Sequence, residues 1–347
     1  MSRTGKNIII APLDWGLGHT SRCIPIIYNL LDKGHKVTAA VNDQQKSILK
    51  EHFPTITYAF LDGYNIEYPV NGSMTWNMAK QSSKIFTAIK NENHWLKNYI
   101  GEHPQDIVIS DNRFGFYHPR VESIYITHQI NIQGPSLIKP LLYSIHKNYI
   151  DNFHHCVIPD TEDNILAGQL SKTSIDRFKF IGPISRFNKA ATNNDIHYKY
   201  LGILSGPEPQ RSVFCKTLEE EFLASGEQCA IIGGRPLDNN HFKKDNLTYF
   251  PHLKTEEFYD IVSKSAGIIS RSGYSTIMDF SILQKPIYFV PTPGQTEQEY
   301  LAEFHHENSG IGFCKQKDFN LNLVKLENSL PETTKVNESI VSLLDII

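Results

Sequence analysis

The chain has 347 residues, 40% of them hydrophobic and 20% charged, and this length allows two globular domains that each bury their own core. With 34 basic and 37 acidic residues the formal net charge is −3, which gives no support for a nucleic-acid partner. The five cysteines are scattered and odd in number, a pattern that argues against a disulfide framework and a cysteine metal site.

The sequence predicts a cytoplasmic location. Polar residues lead directly into an apolar strand at the N-terminus, without the pattern of a signal peptide. No apolar run reaches the roughly 18 residues that a membrane span needs. The segment 137–150 is strongly apolar with two lysines, which predicts a buried helix. The alternative is a helix in peripheral contact with the inner face of the membrane.

Short β-rich runs alternate with helical patterns along the first half of the chain. Such alternation predicts right-handed β-α-β crossovers and a parallel sheet. The predicted strands are Asn7–Ala11, Lys36–Val41, Thr57–Phe60, Asp106–Ser110, Ser123–Thr127, Cys156–Ile158 and Lys179–Ile181.

The pattern restarts after a polar stretch at 188–197, which we interpret as a linker between a domain at 1–187 and a second domain at 198–330. Two facing parallel sheets would leave a cleft between the carboxyl ends of their strands, where such sheets bind ligands. The strands predicted in the second half are Tyr198–Ser205, Gln228–Gly233, Leu247–Phe250, Gly267–Ser270 and Pro286–Val290.

A glycine-rich turn, Gly16-Leu17-Gly18-His19, follows the first predicted strand and precedes a helical pattern. The two glycines leave room for a ligand beside the main chain, and the helix start favours an anion. His19 can exchange protons near neutral pH, so it is a candidate catalytic residue. Because Ser21 occupies the third glycine position, this is not a dinucleotide fingerprint. An ordinary helix-capping turn is the alternative interpretation.

A second group of polar residues follows the predicted strand Gly267–Ser270 and opens a helix. Gly273, Ser275 and Thr276 could hold a phosphate at the helix start. Asp279 lies one turn further on and suits a sugar diol. After the next strand, a proline-rich loop carries Gln295, Glu297 and Gln298, which offer amides and a carboxylate to hydroxyl groups.

The ordered set Ser270-Arg271-Ser272-Gly273, Asp279, Lys285-Pro286…Val290-Pro291 and Gln295…Gln298 resembles the nucleotide-sugar half of GT-B glycosyltransferases. It is most similar to the family 28 type, which includes the N-acetylglucosaminyltransferases of peptidoglycan synthesis. The resemblance is specific over about 198–303 and looser in the first half. Lys285 stands in place of a usual glycine, and Asp279 in place of a more common glutamate.

This resemblance implies an α/β protein of two Rossmann-like parallel-sheet domains, with a C-terminal helix at 331–347 that crosses back to the first domain. The helix would carry Ile340, Leu343, Leu344 and Ile347. The implied reaction is inverting transfer of a sugar from a UDP-sugar to a hydroxyl group of a glycan or glycolipid of the cell envelope, without a cofactor. The implied nucleotide-sugar-binding residues are Gly16, Gly18, Gly206, Arg211, Leu253, Arg271, Ser272, Gly273, Ser275, Thr276, Asp279, Gln295 and Gln298.

Glycosyl transfer needs a base for the acceptor hydroxyl and a counter-charge for the leaving diphosphate. The chain has no Asp-x-Asp triplet, so we expect no metal, with the helix start at Gly273 and Arg211 or Arg271 opposing the diphosphate charge. His19 is the predicted base. Asp111 follows a strand at the same sheet edge and would fix the imidazole tautomer and raise its basicity. Alternatively, Asp111 caps a turn with Asn112 and Arg113.

Other functions remain open at this stage. UDP-sugar hydrolases of the pseudaminic-acid pathway also carry Gly-x-Gly-His-x-x-Arg, here Gly16–Arg22, and their histidine activates water. A non-hydrolysing UDP-sugar epimerase would need catalytic carboxylates that are not evident in this sequence. A non-enzymatic binding protein would leave the Gly-His turn without a chemical role.

Overall fold

The computed structural model describes residues 5–15, 17–64, 81–132, 139–192 and 195–333. Within these residues the chain forms two seven-stranded sheets, one from each half. No helix in the described part is long and apolar enough to cross a membrane. Gly16 and the predicted C-terminal helix residues Ile340, Leu343, Leu344 and Ile347 lie outside the described ranges.

The first sheet has the strand order β3-β2-β1-β4-β5-β6-β7, and every pair in it is parallel. Ile8, Ile9 and Ile10 of the central strand are fully buried, because helices cover both faces of such a sheet. The strands are β1 Asn7–Pro12, β2 Lys36–Val41, β3 Thr57–Phe60, β4 Ile107–Asp111, β5 Glu122–Ile126, β6 His155–Ile158 and β7 Phe178–Phe180. The helices of this half are α1 Leu17–Asp32, α2 Asp43–His52, α3 Ser82–Glu102 and α4 Lys139–Ile150.

The second sheet has the order β10-β11-β9-β8-β12-β13-β14. Its strands are β8 Tyr198–Ile203, β9 Cys229–Ile232, β10 Phe242–Lys244, β11 Leu247–Phe250, β12 Ser265–Ser270, β13 Ile287–Phe289 and β14 Gly312–Phe313. Its helices are α5 Gln210–Ser225, α6 Thr255–Ser263, α7 Tyr274–Leu283 and α8 Thr296–Ser309. This arrangement confirms the predicted pair of Rossmann-like domains.

Two edge strands were not predicted. β10 pairs antiparallel with β11, through a turn in which Asp245 has a φ of 50°, so the second sheet is not wholly parallel. β14 is only two residues long. Strands this short carry too few residues for an alternating or continuous apolar pattern.

The two halves share one hydrophobic core. Ile184 and Phe187, which follow β7, belong to the same buried cluster as Ile277 and Met278 of α7. Ala191, inside the predicted linker, is buried and its N–H donates to the Leu283 carbonyl. The domain boundaries at 187 and 198 stay a prediction.

Helix α4 packs one face against the first domain. His146 and Ile150 are buried, whereas Lys147 and Asn148 are exposed. The His146 ring makes an edge contact with Phe114, with ring centroids 5.2 Å apart. Residues 137 and 138 and the side chains of 139–143, which carry most of the apolar character of this segment, lie outside the described part, so the buried-helix interpretation stays a prediction.

Candidate active site

Two helices begin at the carboxyl ends of parallel strands and meet across the gap between the sheets. α1 follows β1 and α7 follows β12. A Cβ placed on Gly18 would lie 2.6 Å from the Ser275 hydroxyl oxygen, closer than side chains approach one another. Only a glycine therefore lets the start of α1 come this near to the start of α7. This contact brings His19 to the boundary between the two halves.

His19 lies beside Asp111, as the sequence predicts. Its Nδ1 atom is 3.2 Å from Asp111 Oδ2, although 92 residues separate the two in the chain. Asp111 ends β4, which pairs directly with β1, so both side chains reach the same sheet edge. The Asp111 side chain is fully buried, and the His19 side chain keeps 15% of its surface exposed. The turn-capping alternative would need a hydrogen bond between the Asp111 carboxylate and Asn112 or Arg113. The described structure contains no such bond.

Arg22 also binds this carboxylate. Its Nε donates to both oxygens of Asp111 at 2.8 Å, and its Nη2 donates to Oδ1. Nη2 also lies 2.8 Å from His19 Nδ1. The two contacts of Nδ1 require opposite proton positions, because Asp111 needs a protonated Nδ1 and Arg22 needs a bare one.

The surroundings of His19 lower its basicity overall, although Asp111 raises it as the sequence predicts. Burial, followed by the positive charge of Arg22, lowers the pKa of His19 below its ordinary value of 6.5, although Asp111 acts in the opposite direction. For Asp111, burial alone would raise the pKa, but the charges of Arg22 and His19 lower it to about 2. Asp111 is therefore an anion at neutral pH.

A second polar contact crosses between the halves nearby. Glu297 in the first turn of α8 accepts a hydrogen bond from His128 Nε2 at 2.8 Å and another from Gln129 Nε2. The His128 ring stacks on Tyr274 of α7, with centroids 4.0 Å apart and planes 10° from parallel. The Tyr274 hydroxyl donates to the Pro159 carbonyl. These contacts hold both halves against each other around His19.

The start of α7 has no side-chain cap. Gly273 is its N-cap residue. Ser275 and Thr276 are both partly exposed there. Unpaired N–H groups and the positive end of the helix dipole favour a phosphate at such a position.

The structure places three of the predicted binding residues in structural roles instead. Arg271 is fully buried, donates to the Val290, Pro291 and Gln210 carbonyls and to Gln316, and lies over the Phe214 ring; burial lowers its pKa to about 9. The buried Ser272 hydroxyl donates to the Gln298 carbonyl. The Gln298 side chain accepts from the Thr292 N–H. The Arg271 side chain therefore cannot meet a diphosphate. Ser272 Oγ and Gln298 Oε1 bind backbone groups of Gln298 and Thr292, whereas Gln298 Nε2 lies toward Gly273 at the start of α7.

The other predicted binding residues lie on the second half. Arg211 binds Glu208 and the Gly234 carbonyl. Gly206 follows β8 and has a φ of 90°. Leu253 is partly buried against the core. Gln295 is the N-cap residue of α8, and its Oε1 is buried without a hydrogen-bond partner among the described residues. Asp279 accepts from the Ser185 hydroxyl at 2.6 Å and lies 3.8 Å from Arg186 Nε. Burial raises the pKa of Asp279 against the opposing charge of Arg186.

The sequence did not predict the contacts that Arg22, His128 and Glu297 make in the structure. Arg22 entered only as the end of the Gly16–Arg22 motif, and Glu297 only as a carboxylate offered to hydroxyl groups. Arg22 follows His19 by three positions, so both share one face of α1, and that spacing was the available signal. His128 and Glu297 are 169 residues apart, and their contact depends on how the halves pack.

Comparisons with known proteins agree with this architecture. A family model described as glycosyl transferase family 1 matches residues 7–331. An uncharacterized glycosyltransferase of Methanosarcina mazei is 22% identical over 324 residues, covering 86% of this chain and 83% of its own.

Solved glycosyltransferase structures superpose on nearly the whole chain. The glycotransferase of kitacinnamycin has a TM-score of 0.63 at 16% identity, covering 98% of this chain and 94% of its own. MurG of Acinetobacter baumannii has a TM-score of 0.55 at 12% identity, with 99% of both chains covered. Arabidopsis thaliana UGT89C1 complexed with UDP-L-rhamnose has a TM-score of 0.56 at 12% identity, covering 99% of this chain and 93% of its own. The chain belongs to glycosyl transferase family 1 and is a glycosyltransferase of the GT-B fold.

Proposed function

We propose that this enzyme transfers a sugar from a UDP-sugar to a hydroxyl acceptor with inversion and without a metal, and that His19 is the general base. The observation that carries the proposal is the contact of His19 with the buried Asp111 carboxylate, at the point where α1 meets the start of α7. A solved neighbour binds UDP-L-rhamnose, which supports a UDP-sugar as donor.

The proposed reaction is a single displacement. The unprotonated Nε2 of His19 takes the proton of the acceptor hydroxyl while its oxygen bonds to the anomeric carbon. The bond from that carbon to the UDP oxygen breaks at the same time, and the electron pair leaves with the diphosphate. Asp111 stabilises the imidazolium that forms. Because Arg271 is enclosed by protein, the first-turn N–H groups of α7 are the groups we expect to oppose the diphosphate charge.

We further propose that the acceptor binds on the first half of the molecule. A cavity of about 620 Å³ lies between the loop after β3 and helix α3, lined by polar and aromatic residues that include Asp62, Tyr64 and Trp95. The N–H of Tyr64 donates to Asp14, and its ring contacts Trp15 in the loop that leads to α1. This cavity is the proposed site for a glycan or glycolipid acceptor.

The hydrolase alternative predicts a different product. The matched family model, the relative and the superposed structures are glycosyltransferases, so none of them supports hydrolysis. The test is incubation of the purified protein with radiolabelled UDP-sugars, with and without a lipid extract and with EDTA present. Label moved to an acceptor supports the proposal. Free sugar released at the same rate with and without the lipid extract would establish hydrolysis. UDP binding without turnover would refute both transfer and hydrolysis.

A further inference from the structure

Arg22 is an almost fully enclosed cation beside His19. Its side chain is 2% exposed, and its guanidinium faces both members of the proposed catalytic pair. Nε and Nη2 donate hydrogen bonds to the Asp111 carboxylate, and Nη2 lies 2.8 Å from His19 Nδ1. Among the described side chains, only Arg22 lies within hydrogen-bonding distance of both residues. With the Nδ1 proton directed at Asp111, the contact of Arg22 with the imidazole is one of charge.

We propose that Arg22 is a positioning residue of the reaction: it fixes the Asp111 carboxylate beside the imidazole and places a permanent positive charge against His19 Nδ1. This inference rests on the proposed role of His19 as the base. Arg22 does not touch the reacting atoms, because Nδ1 is the nitrogen that faces away from the acceptor when Nε2 takes the proton.

The fixed charge determines when His19 can act. A carboxylate paired with a histidine ordinarily favours the imidazolium, which is useless as a base. Here burial and the charge of Arg22 outweigh the effect of Asp111, so the pKa of His19 lies below its ordinary value and the resting imidazole is unprotonated at neutral pH. Asp111 remains beside Nδ1 to stabilise the imidazolium that forms during transfer. The charged and titratable groups that face His19 are Arg22 on the same helix, Asp111 on β4, His128 after β5 and Glu297 on α8. Burial lowers the pKa of His19 the most, and the charge of Arg22 lowers it the second most.

The guanidinium shape matters as much as its charge. Nε and Nη2 of Arg22 both bind the Asp111 carboxylate, and Nη2 also lies next to the His19 imidazole. The planar guanidinium places its donors so that both contacts can form at once. A lysine ammonium would keep the charge but could not hold the carboxylate at two points. Lysine and glutamine substitutions therefore separate the charge from the geometry.

The test is a proton NMR titration of the histidine rings in the free protein, with His19→Ala used to assign the His19 signal. In the wild type we expect a His19 midpoint below 6.5. Arg22→Gln should raise that midpoint by about 1–3 pH units, the usual effect of one close charge, whereas Arg22→Lys should leave it near the wild-type value. Arg113→Gln is the matched control, since it removes an equally buried arginine paired with Glu92 and should not move the midpoint.

Kinetics give an independent reading. In Arg22→Gln, the midpoint of the acidic side of the kcat/KM pH profile should move to higher pH. In Arg22→Lys, that midpoint should stay at the wild-type value while kcat falls. A wild-type midpoint at or above 6.5, or an Arg22→Gln midpoint equal to the wild type, would overturn the proposal. If Arg22→Gln does not fold, the wild-type midpoint and Arg22→Lys decide. Should His19→Ala keep full activity, the base assignment fails, while the titration still reports on Arg22.

Discussion

Replacement of Asp111 by asparagine perturbs the centre of the site with almost no change in shape. The carboxylate is fully buried and receives hydrogen bonds from Arg22 and from His19. Against the effect of burial, Arg22 and His19 together hold the pKa of Asp111 at about 2, below its ordinary value of 3.8, and this lowering is worth about 2 kcal/mol of folding free energy. Asp111→Asn also leaves the Arg22 guanidinium buried without its counter-charge, so the whole loss should reach about 3–5 kcal/mol.

The pH dependence gives this prediction a sign. Because the folded-state pKa is lower than the unfolded one, the ionised Asp111 stabilises the protein above about pH 4, and that share is lost as the pH falls toward about 2. The difference in unfolding free energy between wild type and Asp111→Asn should therefore be large at neutral pH and shrink in acid. Urea unfolding at several pH values measures it.

A matched control separates the site from a general effect of charge removal. Asp106 is exposed, precedes the same strand and accepts a hydrogen bond from the Asn7 N–H, so Asp106→Asn should change the unfolding free energy by less than about 0.5 kcal/mol. If Asp111→Asn were as stable as wild type at neutral pH, the buried ion pair would not have the energetic role assigned to it here.

Three further predictions concern the donor side and the contact between the halves. Asp279→Ala should weaken UDP binding by about 1–3 kcal/mol in calorimetry, and unchanged affinity would remove this residue from the nucleotide site. EDTA should leave turnover intact, whereas a loss of activity that manganese restores would contradict a metal-independent donor site. Gly18→Ala should lower kcat/KM by up to about 100-fold, because its Cβ would lie 2.6 Å from the Ser275 hydroxyl oxygen. Adding Ser275→Gly to the same chain should restore part of the activity. Full activity of Gly18→Ala would argue against this close approach.

The sequence predicted the sheets well because their strands are continuous apolar runs that alternate with helical patterns. Lys36–Val41, Thr57–Phe60 and Leu247–Phe250 have the predicted bounds. β10 and β14 were missed because two or three residues at a sheet edge carry no pattern.

The candidate site was predictable only in part. That His19 and Asp111 share one sheet edge follows from parallel strands, whose carboxyl ends lie together. The direction of a side chain within a turn does not follow from such reasoning, and Arg271 and Ser272 proved to face the interior. Arg22 was not recognised because its burial depends on a carboxylate 89 residues away.

The central claim is that His19 removes the proton of the acceptor, and the most direct test measures kcat and UDP affinity together in His19→Ala. Loss of a general base should lower kcat by about 10²–10⁴-fold. UDP affinity, measured by calorimetry, should stay at the wild-type value, because the groups proposed to oppose the diphosphate charge are the first-turn N–H groups of α7 and not the His19 side chain. A variant that keeps its kcat, or that loses UDP affinity while its kcat is spared, would contradict the assignment of His19 as the base.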